Sequence, residues 1–283
     1  MTDPTTDNQP TIGFIGLGDQ GAPIAQAIAD AGFPLHVWAR RRASLAVLDG
    51  RPFTAYDALA EMAAVVDVMA LCVREDSDVF ELIEQQGLLA NMRPGAVLVN
   101  HGTGLPTAAH RLQQLAEPYG IHVVDAPVSG GHAVAVARQL TTIAGGDDEA
   151  MRLVTSVFAS FSKRVIHVGP VGAGQYGKLF NNAVMMMNHI NILEALTVAK
   201  RLDLPIAPLL EVLESGSAAS FALSAFGPSI TSDNAAHLRE LELIDMNLFA
   251  AATENLGQTR DTVVARAIAG AQGLPELTQL TGN

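Results

Sequence analysis

Cysteine is nearly absent. Cys72 is the only one in 283 residues, which excludes an internal disulfide framework and a cysteine-based zinc site and fits a reducing compartment. Basic residues are scarce too. Seventeen Lys+Arg stand against 29 Asp+Glu, a formal charge of −12, which argues against a nucleic acid or an anionic membrane surface as partner. No apolar run reaches the roughly 18 residues of a membrane span. Residues 1–10 offer neither a basic n-region nor an apolar h-region, so they read as a flexible leader, not a signal peptide. The expectation is a cytoplasmic protein acting on a small molecule. What the chain does have is apolar bulk: 49% of residues are hydrophobic and 16% charged, enough to bury a sizeable core. The length allows one large domain or two ordinary ones.

From Thr11 to about Gly169, short β-rich runs alternate with amphipathic stretches. Strands are expected at Ile12–Gly16, Leu35–Ala39, Val66–Val73, Ala96–Asn100, Ile121–Asp125, Leu140–Ala144 and Arg164–Val168. Helices are expected at Gly21–Ala31, Asp76–Gln85, Pro106–Glu117 and Asp147–Phe161. Such alternation implies right-handed crossovers and a mostly parallel sheet covered on both faces. After Gly174 the pattern becomes helical, opening with one long helix over Gln175–Leu202 and continuing as Ile206–Glu214, Phe221–Phe226, His237–Asn255 and Thr259–Gln272. Two domains follow, an α/β domain over 11–170 and an all-α domain over 171–283.

Three segments carry chemistry. The first is Gly16-x-Gly18-x-x-Gly21, directly after a strand and directly before a helix. Gly16 permits a tight turn, Gly18 lets backbone approach a pyrophosphate, and Gly21 lets helix pack on strand, while the helix N-terminus offers free N–H groups. About 20 residues on, where a carboxylate would select the ribose 2′-OH of NAD, the chain reads Trp38-Ala39-Arg40-Arg41-Arg42. Guanidinium suits a 2′-phosphate, so NADP(H) is the preferred cofactor, with NAD(H) possible; Arg40 ranks first and Arg41 second.

The second segment is Asp125-Ala126-Pro127-Val128-Ser129-Gly130-Gly131. Its glycines free the backbone to present N–H groups to an anion, and Ser129 adds a hydroxyl. Taken alone, it also fits a plain linker loop. The third is Gly172-Ala173-Gly174-Gln175-Tyr176-Gly177-Lys178-Leu179-Phe180-Asn181-Asn182, in which Lys178 and Asn182 lie four apart at the start of the long helix. The positive end of the helix dipole, and a bound cationic nicotinamide, disfavour an ammonium there, which suits a group that must pass a proton. Spacing alone equally fits a surface lysine and a cap-region asparagine. No histidine pattern has metal-ligand spacing, so no metal is expected.

In this order, GFIGLGDQG, DAPVSGG and GAGQYGKLFNN on a long helix resemble the β-hydroxyacid dehydrogenases. That family includes 3-hydroxyisobutyrate dehydrogenase and tartronate semialdehyde reductase, and imine reductases and 6-phosphogluconate dehydrogenase are relatives. The resemblance runs from Ile12 to the mid-200s. It implies a Rossmann-type α/β N-terminal domain joined by a long interdomain helix to an all-α C-terminal domain, assembled as a homodimer or dimer of dimers. It further implies that Gly16, Gly18 and Gly21 hold the cofactor pyrophosphate, with Leu17, Asp19 and Gln20 in the same turn and Cys72, Val73 and Thr103 completing the cofactor-lining set. Ser129, Gly130 and Gly131 would grip the substrate carboxylate, Lys178 would carry the proton, and Asn182 and Thr103 would orient substrate.

The chain departs from the family pattern in places. The family's D-x-S-T reads Asn100-His101-Gly102-Thr103, the G-A-x-x-G stretch after Gly131 is missing, the late Lys-Asp pair reads Ile244-Asp245, and the fingerprint methionine is Gln20. The expected reaction is hydride transfer between NADP(H) and a small 3-hydroxyacid or semialdehyde. An imine reductase-like enzyme with a rewritten pocket is the alternative within the class, although such relatives replace the lysine kept here as Lys178. A non-catalytic dinucleotide sensor is the alternative outside it, disfavoured by Lys178 and Asn182. His101 and His132, beside motif residues, are reserve proton carriers.

Overall fold

A computed structural model describes residues 9–282, so most of the 1–10 leader lies outside the described residues. The chain divides into two units, the first ending at Lys178 and the second beginning at Leu179.

In chain order the first unit contains β1 (Ile12–Ile15), α1 (Gly21–Asp30), β2 (Leu35–Trp38), a 3₁₀ segment (Arg42–Leu48), β3 (Thr54–Tyr56), α2 (Leu59–Ala63), β4 (Val68–Leu71), α3 (Asp76–Glu84), α4 (Leu88–Asn91), β5 (Val97–Asn100), α5 (Pro106–Ala116) and β6 (His122–Asp125). It continues through β7 (Val128–Ser129), α6 (Gly131–Val136), β8 (Leu140–Gly145), α7 (Asp148–Phe158) and β9 (Ser162–Gly169) into the start of α8 (Ala173–Arg201). The sheet order is β3-β2-β1-β4-β5-β6-β8-β7, with β9 beside β8. Strands β1 to β6 pair in parallel, whereas β8 runs antiparallel to β6 and β7. The reversal of order on either side of β1 makes a topological switch, outside whose carboxyl ends a dinucleotide binds in folds of this kind.

Strands β1 and β4 carry no polar side chain because both faces are covered. In β4, Val68 and Ala70 enter one core with Phe14, Ile24, Ile28 and Phe158, while Met69 and Leu71 enter the opposite one with Met62, Leu82, Leu98 and Leu112. The seven expected strands form at their expected places within a residue or two, except that the third is shorter, beginning at Val68. Reading of the sequence overlooked β3, the two-residue β7 and the short helices α2, α4 and α6. These are brief elements whose apolar pattern is too short to show a period. In particular, the Ser129-Gly130-Gly131 segment is the junction of β7 and α6, not a linker.

The second unit is helical: the remainder of α8, then α9 (Ile206–Ser215), α10 (Phe221–Ser224), α11 (Ala235–Ala252), α12 (Gln258–Gln272) and α13 (Leu274–Thr281). Leu179, Ala183, Met186, Leu193 and Leu196 of α8 follow helical spacing into one core with Met246, Phe249, Val264 and Ala267. Gly270 of α12 faces the Met186 carbonyl so closely that a Cβ would collide with it, so this glycine sets the helix approach. The Met185-Met186-Met187 run packs in this unit's own core, with Met186 fully buried. α13 begins at Gly273-Leu274-Pro275, where the sequence suggested only a break; proline at a helix's first turn starts it instead. Among the described residues no helix is long and apolar enough to cross a membrane.

Candidate active site

The glycine-rich turn leaves β1 at Gly16 (φ +102°) and enters α1 at Gly21. A Cβ on Gly16 would strike the Cys72 carbonyl, and one on Gly21 would strike the Gly16 carbonyl, so packing demands both glycines. Gly18 differs. Its φ is not positive and a Cβ there would meet nothing within 4 Å, so no protein contact accounts for it. The open space above Gly18 is the cradle a pyrophosphate needs, and the residues present fit a dinucleotide. Cys72 lies beside this turn, its backbone N–H donating to the Ile15 carbonyl at 2.8 Å, and burial pushes its thiol up to about 12, which leaves it unreactive.

The three arginines after β2 are not equivalent. Arg40 reaches Glu81 at 3.1 Å and Asp78 at 3.7 Å. Arg42 pairs with Asp57. Arg41 is exposed and has no carboxylate partner among the described residues.

Two buried side chains tie the other motifs to the start of α8. The Asp125 carboxylate accepts the backbone N–H of Gly172 at 2.6 Å and of Gln175 at 2.7 Å, satisfying donors that a helix N-terminus leaves open. Burial pushes its carboxyl up to about 6, and the Gly172 and Gln175 amides pull it part of the way back. Gly174 packs so tightly on the Asp125 and Ile143 carbonyls that no side chain fits there. The Gln175 side chain donates to the Gly102 carbonyl at 2.8 Å and accepts the Gly104 N–H at 2.9 Å, gripping the loop on both sides of Thr103. Asp76 accepts the Leu105 N–H at 2.9 Å; burial raises its carboxyl and that amide opposes the rise.

His132, at the start of α6, places Nδ1 3.0 Å from the Asp19 carboxylate and 2.9 Å from its backbone carbonyl, joining the Ser129–Gly131 segment to the glycine-rich turn. His101 does not face this cluster of loops. It is buried between Phe158 and Phe161, hydrogen-bonded to the Ala126 carbonyl at 2.8 Å, and burial lowers it to about 4. That environment keeps the ring neutral and removes it from the list of reserve proton carriers.

Lys178 is half-buried at the end of the first unit and has no carboxylate within ion-pair reach among that unit's described residues. Four residues on, within the second unit, Asn182 is buried. Its Nδ2 donates to Asp245 at 2.6 Å, and its Oδ1 accepts from Asn181 at 3.0 Å. Ile244, beside Asp245, is 43% exposed.

The family models decide the identity. Residues 11–169 match the NAD binding domain of 6-phosphogluconate dehydrogenase, and 172–268 match the NAD-binding region of NADP-dependent 3-hydroxyisobutyrate dehydrogenase. The chain belongs to the β-hydroxyacid dehydrogenase family. An NAD-dependent L-serine dehydrogenase of Pseudomonas aeruginosa is 32% identical over 218 residues, 77% of this chain and 73% of that protein. The solved structure of Mycobacterium tuberculosis 3-hydroxyisobutyrate dehydrogenase with L-serine superimposes with a TM-score of 0.80 at 25% identity, covering 97% and 98% of the two chains. An imine reductase from Pseudomonas sp. shares the fold, with a TM-score of 0.59 at 18% identity over 97% and 99%. This β-hydroxyacid dehydrogenase is an NAD(P)-dependent enzyme with a Rossmann-type sheet and a helical second part.

Reading the sequence found the three motifs but not their fasteners. Asp125 and Gln175 stand inside the motifs with no local sign of their roles, and nothing near Asp78, Glu81 or Asp245 in the sequence marks them as partners. A carboxylate closing an otherwise apolar strand, as Asp125 does after Val123-Val124, is the available signal, because a buried charge must find donors. In place of the family serine stands Gly102, whose Cβ would lie 2.9 Å from the Val73 carbonyl, so the loop here sits too close for a larger residue without a shift. Among the described residues no group of three or more His, Cys, Asp or Glu is arranged to hold a metal.

Proposed function

We propose that this enzyme is an NADP(H)-preferring oxidoreductase for a small carboxylate-bearing 3-hydroxyacid or its semialdehyde, with Lys178 as general acid/base. The observation that carries the reading is convergence. The Thr103 loop is held by Gln175, the strand leading to Ser129–Gly131 is held through Asp125, and both fasten to the first turns of the helix that presents Lys178. His132 ties the same Ser129–Gly131 segment to the glycine-rich turn.

Each group has a role set by its chemistry. The Gly16–Gly21 turn, with Leu17, Asp19 and Gln20, and the neighbouring Cys72 and Val73 hold the dinucleotide, and Arg41 and Arg40 take the 2′-phosphate. The bound nicotinamide supplies or accepts the hydride. Backbone N–H groups and the Ser129 hydroxyl hold the substrate carboxylate, fixing the reacting carbon. Lys178 gives its ammonium proton to the carbonyl oxygen during reduction and recovers it from the hydroxyl during oxidation. Asn182, its amide held by Asp245, would orient the substrate oxygen, and Thr103 would contact the substrate from the first unit. The presence of Lys178 disfavours the imine reductase alternative, and an intact Lys178 and Asn182 disfavour a mere sensor.

A cytoplasmic homodimer, or a dimer of dimers, completes the proposal. Phe180, Val184 and Val198 of α8 are about half exposed in the single chain, and a second copy would cover such a face. A spectrophotometric screen at the reduced-nicotinamide band, with 3-hydroxyacids, semialdehydes and cyclic imines against both cofactors, tests the function. Turnover of a 3-hydroxyacid with NADP+ supports it. Turnover of cyclic imines alone, or dinucleotide binding with no turnover across the panel, contradicts it.

A further inference from the structure

Arg40 follows β2, whereas Asp78 and Glu81 lie on α3, which follows β4. In the sheet β1 runs between β2 and β4. The Arg40 guanidinium, 3.1 Å from Glu81 and 3.7 Å from Asp78, therefore spans the crevice beyond the carboxyl end of β1. A dinucleotide crosses that crevice in sheets of this order, with its adenosine ribose at the end of β2. Of the three arginines gathered there, Arg42 is committed to Asp57 and Arg40 to the α3 carboxylates, which leaves Arg41 alone without an acidic partner among the described residues.

The geometry points to Glu81, supported by Asp78, as a specificity-determining residue that competes with the ribose 2′-phosphate of NADP(H) for Arg40. This rests on the cofactor reading given above. A carboxylate and a phosphate are alternative partners for the same guanidinium fork. When the cofactor carries a 2′-phosphate, Arg40 must leave Glu81 or be shared with it, and in either case a carboxylate remains near a phosphate of the same sign. When the cofactor carries a 2′-hydroxyl, nothing draws Arg40 away and the bridge stays closed. Glu81 thus narrows a preference that a count of arginines overstates. The bridge is exposed and contributes little to folding, so its removal leaves the scaffold in place.

The test is calorimetric affinity for NADP+ and NAD+ at one ionic strength, in the intact enzyme and in Glu81→Gln, each with and without Arg40→Ala. The expected result is NADP+ binding about three- to tenfold tighter in Glu81→Gln, with NAD+ changed by less than about twofold. In the Arg40→Ala background, Glu81→Gln adds nothing. Unchanged NADP+ affinity, an equal gain for both cofactors, or a gain that persists without Arg40 overturns the inference while leaving the cofactor reading standing. An intact enzyme that binds neither dinucleotide overturns both. An intact enzyme with no preference, in which Glu81→Gln creates one through Arg40, supports the inference and corrects only the stated preference.

Discussion

The carboxylate of Asp125 accepts the backbone N–H of Gln175 at 2.7 Å across fifty residues of chain, fastening the end of β6 to the first turn of α8. Its other oxygen takes the Gly172 N–H, so both oxygens are in use. Asp125→Asn keeps the shape but aims an amide N–H₂ at one of two buried donors. A loss of about 1–3 kcal/mol in unfolding free energy is expected, the cost of leaving one buried donor unpaired. Urea denaturation of the two proteins measures it, and an unchanged midpoint contradicts the clamp.

Acid lability follows from two histidines. Burial lowers His101 and His189 to about 4 each, below the ordinary 6.5. A depressed folded-state value means that the unfolded chain binds protons first. The stability is complete above about 6.5 and is lost as pH falls toward 4, by about 3 kcal/mol for each ring. Asp125 acts in the opposite sense. Its value is raised from 3.8 to about 6, so its contribution is complete below about 4 and is lost as pH rises through 6. The two rings outweigh the one carboxyl. Unfolding free energy is therefore lower at pH 4.5 than at pH 7, and the loss is steeper in Asp125→Asn. A profile flat between those pH values contradicts this assignment.

Under the proposed NADP(H) reading, cofactor choice is expected to depend more on Arg41 than on Arg40, because Arg40 is shared with Glu81 and Asp78. Replacing both by alanine is expected to remove most of the proposed preference for NADP(H), an effect on the order of tenfold in relative affinity. Arg41→Ala alone accounts for more of it than Arg40→Ala alone. Fluorescence titration with NADPH and NADH reads the ratio, and equal affinities in the unaltered enzyme sink the idea.

Assembly is tested by mass. Light scattering at micromolar concentration is expected to give a dimer or tetramer. Charged replacements at the half-exposed Val184 and Val198 are expected to shift that mass toward the monomer. A monomeric mass for the unaltered protein contradicts the proposal.

How much of this was legible beforehand depends on the kind of signal. Gly16 and Gly21 could be read because steric demands single out glycine, Gly18 from its place between them in the turn, and strands such as Val68–Leu71 because burial on both faces leaves a continuous apolar run. The long helix was equally plain from its lack of breakers. Partnerships were not legible. Nothing in the local sequence says that Gln175 grips Gly102 and Gly104, that Arg40 turns to Glu81, or that Asn182 meets Asp245, since each joins residues tens of positions apart. His101 misled for the same reason: its neighbours in sequence belong to a motif, while its neighbours in space are Phe158 and Phe161.

If Lys178 moves the proton, as proposed, Lys178→Ala removes the step and leaves the rest of the enzyme in place. The pyrophosphate turn is separate from this side chain, so cofactor affinity is expected to stay within about twofold by titration. Turnover on the best 3-hydroxyacid or semialdehyde is expected to fall by about 10²–10⁴-fold, the contribution of a positioned proton donor. Lys178→Arg is expected not to restore it, because guanidinium holds its proton. A folded Lys178→Ala enzyme that binds cofactor and retains most of its kcat contradicts the account.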